Sequence, residues 1–148
     1  MSNADTLRAL IARVESASGP DRELDAEIGR AVGAFDRLLG GFDDSEIAAV
    51  TYVPEYDHAS ILVRMKGRSS GGLRYTEKLS RYTASLDAAV SLVPAGWSIL
   101  MVWNGKRNIC TVHAQPLGTV QSWPDPSEAA TPALALVAAA LRPGAGGG

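Results

Sequence analysis

Apolar and polar positions along this chain alternate between two periodicities. Leu7, Leu10, Ile11 and Val14 recur three and four apart after Asp5, which predicts a helix with one buried stripe ending at Ser16-Ala17-Ser18-Gly19. Pro20 and Asp21 restart a helix, because proline tolerates the first turn and Asp21 and Glu23 complement the positive end of the helix dipole. Leu24, Ile28 and Val32 form its expected core face, and Gly33 its expected end. Two helices joined this tightly are expected to form a bent or antiparallel pair.

From Phe35 to Glu46, Gly40-Gly41 and Asp43-Asp44 interrupt the pattern, so a loop with a helical turn is expected. Strand periodicity follows. Val50 to Pro54 and Ile61 to Lys66 read as strands, with Ile61, Val63 and Met65 on one face and Leu62, Arg64 and Lys66 on the other. Pro54 has no N–H for a ladder, so the first strand lies at an edge or ends there. Turn residues Gly67 to Gly72 precede a third strand around Leu73 to Lys78.

Thr83 or Ser85 caps a helix bearing Leu86, Ala89, Val90 and Val93, closed by Pro94 and Gly96. Ser98 to Trp103 and Asn108 to Ala114 flank Asn104-Gly105, a strong hairpin signal because both residues tolerate positive φ. The first arm is apolar on both faces, which predicts a central strand covered by helices on both sides. Pro124, Asp125 and Pro126 break the next segment, and Ser127 or Thr131 caps a last helix, Pro132 to Leu141. That helix is apolar around its whole circumference and is expected to be buried in the domain or against a second copy. The glycine-rich residues 143–148 predict a disordered tail. The expected fold class is α/β (α+β): a three-layer α/β/α sandwich with a central antiparallel or mixed sheet, built as a single domain over residues 1–142.

Composition narrows the classes of function. A chain of 148 residues buries enough surface to fold without a metal or disulfide, and the single cysteine, Cys110, excludes an intramolecular disulfide and a cysteine-rich zinc site. A net charge of -2 with no basic block makes nucleic acid an unexpected partner. The first residues do not read as a signal peptide, and the longest apolar run, Ala133 to Leu141, is half the roughly 18 residues a membrane span needs. A cytoplasmic protein with no membrane partner is expected.

Candidate chemistry is sparse. Glu55-Tyr56-Asp57-His58 puts an imidazole beside carboxylates, the grouping that metal binding or acid–base work uses, but neighbours on an extended chain point to opposite faces. Cys110 and His113, three apart on a strand, also diverge, so Cys110 reads as a small buried hydrophobe. Lys66, Arg68 and Arg74 surround Ser69-Ser70-Gly71-Gly72, whose N–H groups and cations form the preferred place for a small anionic ligand. It lacks the spacing of a P-loop. Of Trp97, Trp103 and Trp123, the last falls in a loop and is the expected interface residue. No catalytic residue, metal site or cofactor is expected.

Four stretches, Gly19 to Ala26, Tyr82 to Ala89, Pro94 to Trp97 and Ala129 to Leu141, occur in an order that resembles the phage ABA sandwich domain family. The likeness spans residues 5–142 except Phe35 to Leu79, which departs from the pattern as an inserted or expanded hairpin. It implies a small phage or prophage protein with a sheet between helical layers, and it implies no reaction. The first functional expectation is therefore a non-enzymatic accessory protein that binds another protein or self-associates, in a bacterial host or phage-infected cell. The alternatives are a protein that sequesters a nucleotide-type signal and a small hydrolase using His58 or His113.

Overall fold

The spacing of Leu7, Leu10, Ile11 and Val14 produces helix α1 (Asn3–Ser16), with those four side chains buried. The computed structural model describes residues 3–36, 47–64, 72–113 and 125–145. They form an α+β protein in which the strands make two three-stranded antiparallel sheets. One central sheet was expected. The described strands instead pair only with strands adjacent in sequence, which yields two meanders. Each sheet belongs to its own compact unit, unit 1 comprising residues 1–21 and 81–148 and unit 2 residues 22–80. Residues 35–79, expected as an inserted or expanded hairpin, fall within the bounds of unit 2.

Unit 2 contains α2 (Arg22–Ala31), β1 (Ile47–Val53), β2 (His58–Val63) and β3 (Leu73–Lys78), in sheet order β1-β2-β3. The register puts Ile61 opposite both Val50 and Tyr75, so one face collects the apolar alternation of all three strands. Ala59, Ile61 and Val63 pack there with Ala26, Phe35 and Leu79. β1 ends one residue before Pro54, at a sheet edge. Val32, expected in the core, is exposed, because α2 stops at Ala31 and Gly33 turns the chain away at φ +78°. Met65 and the expected loop over residues 37–46 lie outside the described residues.

Unit 1 contains α1, α3 (Leu86–Val90), β4 (Ser98–Trp103), β5 (Asn108–His113), β6 (Ser127–Ala129) and α4 (Pro132–Leu141), in sheet order β4-β5-β6. α1 and α2 thus fall in different units. β6 was not anticipated: three residues after Pro126 carry too little pattern to read as a strand. Ser85 caps α3 by accepting from the Ala88 N–H, whereas Thr83 exchanges hydrogen bonds with the Asp21 backbone at 2.8 and 3.1 Å. Thr131 caps α4 by accepting from Leu134 N–H, with Pro132 in the first turn. Every α4 residue from Ala133 to Leu141 except Ala140 is buried within this chain, so the helix leaves no apolar face for a second copy. Pro143–Ala145 forms a 3-10 turn with Ala145 buried, where the glycine content predicted a tail. Two arginines tie the end of α1 to the rest of the unit. Arg142 bonds Ser127 Oγ and Glu15, and Arg107 donates to the backbone carbonyls of Glu15 and Glu128.

Candidate interaction site

The hairpin of unit 1 places its most apolar strand at an edge. Asn104 donates its N–H to the Arg107 carbonyl at 3.2 Å, and its side-chain oxygen accepts from the N–H groups of Lys106 and Arg107. Gly105, at φ +93°, is the only residue of this turn at positive φ; Asn104 anchors the turn through its side chain instead of adopting the left-handed conformation expected of it. The hairpin register continues unbroken from Trp103 opposite Asn108 to Ser98 opposite His113.

Antiparallel pairs alternate between bonded and non-bonded. With Asn104 and Arg107 bonded, Val102, Leu100 and Ser98 are the β4 residues that bond β5. The N–H and C=O groups of Ile99, Met101 and Trp103 then point to the open side, where β4 has no partner among the described residues. Side chains are open as well: Leu100 is 36% exposed, Val102 49% and Trp103 68%. The apolar run was expected to be central and covered on both faces. Its position is the opposite, because β5, not β4, takes the middle and supplies Cys110 and Val112 to the core.

α3 adds to the apolar surface of this unit. Leu86 and Val90 are 45% and 44% exposed, and Ala89 is the buried residue of this five-residue helix. One and a half turns are too short to bury a full stripe, and the small side chain makes the contact.

The positions singled out for chemistry do not converge. Glu55 to Asp57 form the β1–β2 turn, with Asp57 at φ +52°. His58 Nδ1 meets the Tyr56 carbonyl, while Asp57 accepts from Arg22 and from Tyr52 Oη at 2.8 Å. Cys110 lies on the core face of β5 and His113 on the other, both buried. Burial pushes the Cys110 thiol from 9.0 up to about 11, the reverse of what a thiolate nucleophile needs. Arg74 sits on the outer face of the unit 2 sheet, where it donates to Ser60 Oγ at 2.9 Å. Lys66, Arg68 and Trp123 lie outside the described residues, so the expected anion loop and interface tryptophan are not placed. Among the described residues no group of His, Cys, Asp or Glu has the makings of a metal site, and no helix is long and apolar enough to cross a membrane.

Arg22 is a feature that local pattern does not isolate, since it falls in the same first turn as Asp21 and Glu23, the residues that complement the helix dipole. Its guanidinium pairs with buried Asp25 at 2.8 Å and Asp57 at 3.0 Å, donates to the carbonyls of Leu79 and Ser80, and lies 5.1 Å from the Tyr52 ring centre. Burial alone lowers the arginine pKa, but the hydrogen bond to Asp25 and the charges of Asp25 and Asp57 outweigh it, so the net shift is upward. With its donors engaged, Arg22 closes the two ends of unit 2 onto each other. That is a structural role. No signal in the sequence distinguishes it from an exposed helix-start arginine, because its partners lie 35 and 57 residues away.

No family model, curated protein or solved structure matches this chain.

Proposed function

We propose that this chain is a non-enzymatic accessory protein of the phage or prophage kind, which works in the host cytoplasm by binding another protein or a copy of itself. The carrying observation is β4, an uncharged apolar strand whose outer edge is unpaired among the described residues, with Leu100, Val102 and Trp103 exposed. Such an edge supplies main-chain hydrogen bonds for affinity and alternating side chains for specificity. The phage association rests on the resemblance of the four stretches described above. The layered α/β/α arrangement of that family belongs to the same proposal.

Native mass spectrometry of the protein purified from its own host tests this reading. A homo-oligomer or a complex with a second polypeptide supports it. A bare monomer overturns it, and a mass excess matching a nucleotide transfers the function to the Lys66, Arg68 and Arg74 region.

A further inference from the structure

The four sheet edges of the two units are treated differently. On β1, α2 side chains take outward-facing backbone groups: Glu23 accepts from the Tyr52 N–H, and Arg30 donates to the Ile47 carbonyl. β3 carries Arg74, Glu77 and Lys78. β6 is three residues long, carries Glu128, and has the Glu128 carbonyl taken by Arg107. Covering, charge and shortness are the usual means by which proteins prevent strand edges from pairing with other chains. Among the described residues β4 has none of them: Ser98-Ile99-Leu100-Met101-Val102-Trp103 contains no charge and no proline, spans six residues, and has no described segment paired to its outer side.

We infer that β4 pairs antiparallel with β4 of a second copy, joining two unit 1 sheets across a two-fold axis. This rests on the protein-binding reading above and names its partner. A two-fold interface must be complementary to itself, and the chemistry of this strand meets that condition. The outward backbone groups belong to Ile99, Met101 and Trp103. A register centred on Met101 therefore bonds Met101 to Met101 of the other copy, and Ile99 to Trp103.

In that register directly opposed residues lie on the same sheet face. Leu100 meets Val102 of the second copy and Val102 meets Leu100, while each Trp103 ring covers an Ile99. The exposed apolar side chains of β4 in one copy are those that cover the other. Because the strand is uncharged, the seam brings no like charges together. A charged peptide gains no ion pair there, which favours the second copy as occupant. Two six-residue strands make a seam smaller than the interfaces of about 1,200–2,000 Å² typical of stable complexes, so the dimer forms in a concentration-dependent way.

Sedimentation velocity of the full chain from micromolar to millimolar concentration tests the inference. The expected result is a monomer–dimer equilibrium whose dissociation constant rises at least about tenfold in Val102→Lys, which adds a charge to an exposed position of the seam. Thr76→Lys, on the outer face of the other sheet, leaves it unchanged. Met101→Pro removes an N–H that faces away from β5 and abolishes the dimer; Val102→Lys answers the same question should that variant fail to fold.

Met101→Cys forms an intermolecular disulfide on mild oxidation, since bonded antiparallel pairs hold Cα atoms about 5.5 Å apart, within disulfide range. Leu100→Cys, displaced diagonally from its counterpart, does not. A monomer at every concentration, or a dimer indifferent to Val102→Lys, overturns the inference. If that monomer holds a different polypeptide in the host and loses it in Val102→Lys, the second copy is excluded and the binding-module reading stands. If it holds none, both fall.

Discussion

Arg22 holds unit 2 closed from a single side chain, and the cost of removing it follows from what it leaves behind. Asp25 is fully buried, so Arg22→Met takes from its carboxylate the guanidinium that pairs with it at 2.8 Å and removes the donors to the carbonyls of Leu79 and Ser80. Breaking one side of a buried ion pair costs about 3–5 kcal/mol. Urea denaturation of Arg22→Met is expected to show a loss of that order, and a loss below about 1 kcal/mol would mean that solvent already shares the site. Cys110 gives a second check at this scale. Its folded pKa of about 11 lies above its ordinary value of 9.0, so the unfolded chain releases the proton first. The stabilising contribution is full below pH 9 and is lost as pH rises from 9 to about 11. Replacing Cys110 by Ala is expected to flatten that part of the stability profile. Iodoacetamide is expected to label the native thiol only on unfolding, and rapid labelling of native protein at pH 8 would contradict the burial. That Cys110 packs as a hydrophobe was legible from its strand position; that Arg22 is a keystone was not, because its partners are distant in sequence.

Helices were the most legible elements and strands the least constrained. The stripe of α1, the limits of α4 and the extent of β3 and β4 follow from local pattern, since 3.6-residue and two-residue periods are properties of one segment at a time, whereas the choice of Thr131 over Ser127 as the α4 cap came from the fold. The Thr131 cap accepts from the Leu134 N–H at 3.2 Å, and Thr131→Ala is expected to cost about 0.5–2 kcal/mol in thermal or urea unfolding. Thr131→Asn, which preserves the acceptor, is expected to keep most of it. Local pattern misled at β4 and α3. An apolar run such as Ile99 to Trp103 is equally compatible with a strand buried on both faces and with an edge awaiting a partner, and periodicity cannot separate the two. α3 has a helical stripe, yet a five-residue helix buries only Ala89 and leaves Leu86 and Val90 out.

For the molecule as a whole, the organisation comes from where the chain crosses between its compact units. In unit 1 the Asp21 N–H donates to Thr83 Oγ1 and the Thr83 hydroxyl donates back to the Asp21 carbonyl, so two segments 62 residues apart are held side by side. In unit 2, Arg22 performs the corresponding closure on Leu79 and Ser80. Thr83 is buried, and Thr83→Val leaves both backbone groups of Asp21 without these partners while preserving shape. A loss of about 1–3 kcal/mol is expected, measured by urea denaturation; an unchanged midpoint would show that the two crossings need no clamp. The sequence by itself determined the secondary structure of most segments, the α+β class and the absence of a transmembrane helix from the described residues, because these depend on short-range periodicity and length. Tertiary structure alone decided that the described strands divide into two sheets, that Arg22 joins residues 25, 57, 79 and 80, and that β4 lies at an edge among those strands. Those outcomes depend on which distant segments meet, and a run of apolar side chains specifies how strongly a strand seeks cover without specifying what covers it.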